Sequence, residues 1–200
     1  TSVVIVTYQT DAGLRVCIDS VLKQDGLKEL IIVDNGNDQS VLEWLRGVAA
    51  AHRHVSLLTG HGNVGFAKAC NMGAKEATGE FLLLLNPDAI LPDHALSKMA
   101  AAMESTPNAW LMGAHLLNAD GSEQRGGRRK LMTPSNAIAE SLWLYRLMGW
   151  ERMNEHNAPL PEVVAELDAI SGAFMFFRKE KYDQLSGMDE QYFLHVEDMD

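Results

Sequence analysis

Phe81-Leu82-Leu83-Leu84-Leu85-Asn86-Pro87-Asp88 decides the fold class, because five consecutive apolar residues end abruptly on an amide, a proline and a carboxylate. A strand without polar alternation is buried on both faces, and such strands belong to parallel sheets covered by helices. Working outward, short apolar runs at 3–6, 30–33 and 55–58 are further predicted strands. Between the first two, Leu14, Cys17, Ile18, Val21 and Leu22 recur at helical spacing. Helices are also expected over 40–51, 65–77 and 93–104, and strands over 109–117 and 170–177. The expected class is therefore α/β: a Rossmann-like, doubly wound, mostly parallel sheet flanked by helices, with a smaller portion after it. A Gly-rich basic stretch over 120–130, ending Arg128-Arg129-Lys130, reads as a loop. A helical pattern resumes over 135–150 with Trp143, Leu144, Leu147 and Trp150, and 154–161 breaks it.

At 200 residues and 46% hydrophobic, the chain can bury one substantial core. Seventeen Lys and Arg against 27 Asp and Glu give a formal charge of −10, which argues against a nucleic-acid partner. Cys17 and Cys70 fall on apolar helix faces and read as small core residues, in keeping with a reducing compartment. The longest apolar runs fall far short of the roughly 20 residues that span a bilayer. The opening Ser2-Val3-Val4-Ile5-Val6 reads as a core strand rather than an export signal. The last residues stop within a patterned segment, so the chain is expected to be cut short at its C-terminal end.

Ligands of a parallel sheet gather beyond the carboxyl ends of its strands. The residues found there are Thr7-Tyr8, Asp34-Asn35, the stretch from Gly60 to Gly65, and Asn86-Pro87-Asp88. Neither a Gly-x-Gly-x-x-Gly fingerprint nor a P-loop is present, so phosphates would be held in another way. Asp88 can offer hard oxygen to Mg2+ or Mn2+ bridging two phosphate oxygens, although Asn86-Pro87-Asp88 also reads as a plain turn. Asp34 can accept the imide N–H of a uracil or thymine ring, with Tyr8 against the base. Turn chemistry explains Asp34 too, with Asp38 or Gln39 capping the next helix. Gly65 opens a helix whose N-terminus suits a phosphate or ribose, and Lys68 and Asn71 lie three apart on it; a solvated helix face accounts for that pair as well. Glu197, Asp198 and Asp200 follow His195 as an acidic cluster, either solvated surface or a source of a general base.

Taken in order, several segments resemble the family-2 glycosyltransferases of GT-A fold over nearly the whole chain. They are Thr7-Tyr8, Asp34-Asn35-Gly36, Asn63-Val64-Gly65-Phe66-Ala67, Asn71, Leu84-Leu85-Asn86-Pro87-Asp88-Ala89, Ser171-Gly172-Ala173-Phe174-Met175 and the stretch from Tyr192 to Asp200. The nearest branch is the bacterial rhamnosyltransferase-like one, where Asn-Pro-Asp stands in place of the Asp-x-Asp metal motif. The resemblance implies direct displacement with inversion, from a nucleoside-diphosphate sugar and without a covalent intermediate. It places Thr7, Tyr8, Asp34 and Asn63 along the nucleoside, Asp88 on the metal, and Asp198 of Glu197-Asp198 as base. Gly172 would start a strand that sugar and acceptor approach closely. Asn35, Gly65, Lys68 and Asn86 complete the expected donor contacts, and His195 joins Gly172 on the acceptor side. The sequence departs from the family twice. Gln9 stands where Asn is usual, and Asn37-Asp38-Gln39-Ser40 replaces a common Ser-x-Asp-x-Ser stretch. Both changes are expected to soften the loop contacts with base and ribose.

These readings combine into one expectation: a single domain over 1–200, with 1–117 as the nucleotide-sugar-binding half and 118–200 as the acceptor-side half. Its metal-dependent activity would move a sugar, such as rhamnose or another hexose, from a dTDP, UDP or GDP donor. The acceptor would be a saccharide or a lipid-linked sugar in cell-surface polysaccharide synthesis. The expected location is cytoplasmic; the 125–130 loop and the 143–150 helix read either as a flexible loop and a core helix or as a peripheral contact with the inner face of the membrane. Two alternatives are a sugar-phosphate nucleotidyltransferase, which would need a Gly-rich basic loop after the first strand, and a non-catalytic nucleotide-sugar-binding domain.

Overall fold

The apolar runs that the sequence marks as strands are fully buried: residues 3–6, 30–33 and 81–85 are all at most 7% exposed. A computed structural model of the chain describes residues 1–10, 12–124, 127–129 and 164–191. Strand β1 (Ser2–Thr7) is followed by α1 (Gly13–Leu22), β2 (Glu29–Asp34), α2 (Gln39–Ala51) and β3 (Val55–Leu58). Then come α3 (Phe66–Glu76), β4 (Phe81–Leu85), α4 (Ala95–Ser105) and β5 (Leu111–Met112). Two short strands, β6 (Arg128–Arg129) and β7 (Ala169–Ile170), precede β8 (Phe174–Arg178) and α5 (Lys179–Gln184). One compact unit holds Thr1–Met112 with the described residues from Gly172 onward, and a second holds the described residues of Gly113–Ser171.

The main sheet has the order β3-β2-β1-β4-β8-β5. Strands β1 to β4 are parallel, whereas β8 runs antiparallel to both β4 and β5. The sheet is thus mostly parallel with one reversed strand, and it winds outward in both directions from β1 and β4. Helices cover it through apolar stripes, for example Leu14, Cys17, Ile18 and Val21 of α1. Helix α3 packs with small residues, Ala67, Ala69, Cys70, Gly73 and Ala74, which let its backbone come close to β1 and β2. Among the described residues no helix is long and apolar enough to cross a membrane.

The far edge of the sheet is held by Arg178. Its backbone N–H donates to Trp110 O, and its guanidinium donates to Ala109 O and to Met103 O in the last turn of α4. Met103 O also accepts the Thr106 N–H, and the cation at this helix C-terminus adds a favourable interaction with the helix dipole. On the other side of β8, Phe177 meets Tyr182 of α5 edge to face at 5.0 Å, and the Tyr182 hydroxyl donates to Asn71 of α3.

Two expected strands take a different form. The apolar run over 170–177 is broken: Ala169–Ile170 pairs with Arg128–Arg129 in a separate two-stranded sheet, and Phe174–Arg178 joins the main sheet. Residues 172–173 form a turn between them, so Gly172 precedes the strand rather than starting it. The Ser171-Gly172 pair is the only break in an otherwise apolar pattern. Of the strand expected over 109–117, only Leu111–Met112 pairs with β8. The chain then leaves the sheet at Gly113, where an added Cβ would come 3.0 Å from Ile170 Cβ, and Leu117 makes an isolated bridge to Glu123. Within the basic stretch expected as loop, Arg128 and Arg129 are strand residues. The helix expected over 135–150 lies outside the described residues.

A Cβ at Gly73 would overlap Val4 Cγ1 and come 3.1 Å from Val33 Cγ2. Gly73→Ala gains about 1 kcal/mol of helix propensity but costs roughly 1–3 kcal/mol of overpacking. A thermal melt is expected to show the midpoint lowered by about 2–6 °C; a raised midpoint would refute the close approach of α3.

Candidate functional site

The sheet order changes direction at β1 and β4, and an open crevice is expected beyond the carboxyl ends of the strands at such a switch point. A cleft of about 650 Å3 lies there, lined by Val6 near the end of β1 and Tyr8 after it, Asn35 after β2, Asn63, Gly65 and Phe66 where α3 begins, and Asn86, Pro87 and Asp88 after β4. Residues from four chain segments thus meet on one sheet edge, as the strand-end reading required.

Asp34, the last residue of β2, is only 6% exposed. Its Oδ1 accepts the backbone N–H of Asn37 at 3.0 Å, the Asn37 side-chain amide at 2.8 Å and the Gly36 N–H at 3.4 Å. Its Oδ2 accepts the Thr59 hydroxyl at 2.8 Å. Burial raises the Asp34 pKa, but the bonds from Asn37, Thr59 and Gly36 outweigh it and hold the carboxyl below its ordinary value. Thr7 beside it is fully buried, its hydroxyl donating to Val33 O and accepting from Asn37. Tyr8 is 49% exposed, and its ring lies over Gly36, where an added Cβ would sit 3.3 Å from Tyr8 Cε2. Gly36 has φ +121, so the tyrosine packs where no side chain stands.

The loop before α3 is organised by Asn35, which is 3% exposed. Its amide donates to Asn63 Oδ1 and Gly65 O, and its Oδ1 accepts the Val64 N–H. Asn63 Oδ1 also accepts the Gly65 N–H. Asn35 and Asn63 therefore shape the turn that aims the α3 N-terminus, with Gly65 as its N-cap at φ 89. Lys68 is exposed one turn into α3 and has no partner among the described residues. Asn71, one turn further on, faces elsewhere: it accepts from Tyr182 and the Met188 N–H, and donates to Met188 O and Glu190.

Asn86-Pro87-Asp88 is a turn closed by the Ala89 N–H on Asn86 O. The turn reading and the site reading are both realised, because the turn carries Asp88 exposed at the cleft. The Asn86 N–H continues the β4–β8 ladder onto Ala173 O at 3.0 Å, which brings the residue after Gly172 beside the turn. Beneath it the Cys17 thiol donates to Asn86 O at 3.5 Å. Burial first, and the Asp88 charge second, push this thiol up to about 12, so Cys17 stays a neutral packing group.

The model of the family described as "Glycosyl transferase family 2" matches residues 2–185. The chain belongs to that family. Among relatives, the N-acetylglucosaminyl-diphospho-decaprenol L-rhamnosyltransferase of Mycobacterium tuberculosis is 23% identical over 215 residues, covering 99% of this chain and 67% of that protein. S. aureus TarS 1-349 in complex with UDP-GlcNAc superposes with a TM-score of 0.66 at 17% identity, covering 99% of this chain and 50% of that one. The mannosyltransferase PcManGT of Pyrobaculum calidifontis, in complex with GDP-Man and Mn2+, gives 0.63 at 18% identity, with 99% and 49% covered. These matches identify the GT-A fold. The chain spans between 14% and 67% of the length of the curated relatives it matches.

In this member of glycosyl transferase family 2 the residues expected on the donor side, Thr7, Tyr8, Asp34, Asn35, Asn63, Gly65, Asn86 and Asp88, fall on one sheet edge, and Lys68 is exposed in the first turn of α3. Glu197, Asp198 and His195 lie outside the described residues. Among the described residues no three His, Cys, Asp or Glu side chains converge on a metal cage. Mg2+ and Mn2+ beside a diphosphate need only one or two carboxylates, with phosphate and water oxygens filling the rest. An exposed Asp88, next to an Asn86 side chain with no partner among the described residues, fits that requirement. Sequence reading missed Asn37, Thr10 and Thr59. Asn37 Oδ1 accepts both the N–H and the hydroxyl of Thr10, so this side chain ties together three segments.

Two outcomes follow from this geometry. Gln9 has φ 45, in the left-handed region where a residue with a Cβ costs about 1–2 kcal/mol and Asn is better tolerated. Gln9→Asn is expected to raise the melting midpoint by roughly 1–3 °C; an unchanged or lower midpoint would remove the strain from the account. Because the folded pKa of Asp34 is depressed, its contribution is present above the unfolded value of about 3.9 and is lost as pH falls through the folded one. Melting curves from pH 5 to pH 2 should therefore fall more steeply for the native chain than for Asp34→Asn, and equal slopes would contradict the network.

Proposed function

We propose that the chain carries the donor-binding and catalytic portion of an inverting, metal-dependent glycosyltransferase, with a nucleoside-diphosphate sugar in the cleft between the ends of β1 and β4. One observation carries the reading: Tyr8 and Thr10, the latter tied to Asp34 through Asn37, line the same cleft as the exposed Asp88 turn. Tyr8 and Asp34 then meet base and ribose, with Thr7 buried behind them, holding Asn37. Asn63 lines the nucleoside with them, and Gly65 and Lys68 are on the diphosphate side, where helix N-terminal N–H groups favour anions. Gly172, which precedes the Ala173 bonded to Asn86, and His195 belong to the sugar and acceptor side. A Mg2+ or Mn2+ held by Asp88 would stabilise the charge that builds on the departing nucleoside diphosphate.

In the transfer the acceptor hydroxyl oxygen bonds to the anomeric carbon as the bond to the diphosphate oxygen breaks on the opposite face. The hydroxyl proton passes to Asp198, with Glu197 beside it. The solved structures that hold UDP-GlcNAc or GDP-Man with Mn2+ support a nucleotide sugar and a divalent ion. The mycobacterial relative, an L-rhamnosyltransferase by name, supports a deoxyhexose such as rhamnose and a lipid-linked saccharide acceptor. That acceptor favours a cytoplasmic protein working at the inner membrane face.

Calorimetry with dTDP, UDP and GDP, in Mn2+ and in EDTA, tests the donor site. One nucleotide is expected to bind in Mn2+, with Asp88→Asn weakening it at least about tenfold, as loss of a charged ligand should. Asp198→Asn is expected to abolish transfer while leaving donor affinity within about twofold, since a base acts on the acceptor. Binding of none of the three, or turnover retained by Asp198→Asn, would overturn the corresponding assignment.

A further inference from the structure

Asn37 stands in the stretch where this sequence departs from its family, and every hydrogen-bonding position of its side chain is occupied. Oδ1 accepts the Thr10 N–H at 3.0 Å and the Thr10 hydroxyl at 2.8 Å. Nδ2 donates to Thr7 Oγ1 at 2.7 Å and to Asp34 Oδ1 at 2.8 Å. An amide offers two acceptor sites and two donors, so this is full use of its capacity. A serine, with one hydroxyl donor on a shorter stem, cannot bridge the same four atoms. The three places it joins are the end of β1, the turn 8–10 at the cleft rim and the carboxylate that ends β2. Within that turn Gln9 is held at φ 45. A turn containing a strained residue needs an outside tether to keep one conformation.

We propose that Asn37 is a positioning residue for the nucleoside side of the cleft, holding the Asp34 carboxylate and the strained 8–10 turn in the one arrangement that base and ribose meet. The two departures from the family are thereby coupled: Asn37 supplies the tether that Gln9 makes necessary. With Asp34 Oδ1 facing the Asn37 and Gly36 donors, Oδ2 accepts from Thr59 and keeps capacity for one further donor. This inference rests on the nucleotide-binding reading above and assigns no new step of chemistry.

The test measures affinity for UDP, dTDP, GDP and inorganic pyrophosphate, all with Mn2+, beside melting midpoints, for the native chain, Asn37→Ser, Gln9→Asn and the double variant. Asn37→Ser is expected to weaken the nucleotide that binds by roughly tenfold to fiftyfold, the scale of losing bonds that orient a charged group. Pyrophosphate affinity should stay within about twofold, because the Asp88 side of the cleft is untouched. Adding Gln9→Asn should recover a several-fold part of the loss. Thr10→Val, which removes one Asn37 bond without touching Asp34, should give the same pattern at smaller size and serves if Asn37→Ser fails to fold. A lowered midpoint with unchanged nucleotide affinity, equal weakening of nucleotide and pyrophosphate, or no recovery on adding Gln9→Asn would overturn the proposal alone. A native chain that binds pyrophosphate but no nucleotide would overturn the functional reading and this inference together.

Discussion

Strand β1 is paired in parallel on both sides, with Ile5 opposite Ile32 of β2 and Leu85 of β4, and this double register sets the position of everything at the cleft. Thr7 falls opposite Asp34, and the Asn35 N–H carries the ladder one bond further onto Thr7 O. Strand β4 stops opposite Ile5, two residues before β1 does, so the Asn86–Asp88 turn bends away beside Val6 and leaves the floor of the cleft open. Because both faces of these strands are buried, a slip of one residue would turn every core side chain to the wrong face. The register is therefore fixed by the whole apolar core, and the polar edge inherits its precision.

That edge raises a physical problem, since it places a carboxylate, a hydroxyl and an amide where they are almost out of water. Asp34, Thr7 and Asn35 are 6%, 0% and 3% exposed. Burial of such groups without partners costs several kcal/mol, and here each has partners from another chain segment. The Asp34 carboxylate draws N–H donors from its own loop and a hydroxyl from beyond β3; Asn35 binds the turn ahead of α3; Thr7 is linked to Asp34 through Asn37 and accepts the Asn35 N–H on its carbonyl. Such a network holds its geometry before any ligand arrives, the condition under which polar groups recognise a ligand without first reorganising.

The sheet and its helices were legible because their signal is local. A run such as Phe81 to Leu85 is apolar without interruption, and Leu14, Cys17, Ile18 and Val21 repeat at helical spacing. The residues at the strand ends were legible as well, since position after a buried strand needs only the sequence. The break at Gly172 was hidden by apolar residues on both sides of Ser171-Gly172, and the short β5 by a run that leaves the sheet at Gly113. Asn37 was hidden for another reason: its bonds to Thr7 and Thr10 cross 30 and 27 positions of the chain and leave no periodic trace. Judged only by its departure from the family pattern, it looked like a loss of contacts. Asn35 shows the reverse, a strand-end amide whose side chain is taken up by the protein.

Helix α3 connects the two ends of this arrangement. Its N-terminus is aimed at the cleft by Asn35 and Asn63, and its middle is pressed onto β1 and β2 at Gly73. Asn71, on the next turn from Lys68, uses all four of its side-chain hydrogen bonds on Tyr182, Met188 and Glu190. Gly187, at φ +81, leaves no room for a side chain against that amide. The segment that leads toward the acidic residues is thus fastened to the same rigid element whose start lines the cleft. A helix pinned at its start, middle and side cannot shift at one contact without disturbing the others, because packed interiors transmit small displacements rather than absorb them. Small residues in α3 are therefore a requirement of the site as much as of the core: any bulk that lifts the helix from β1 also moves the amides at its N-terminus.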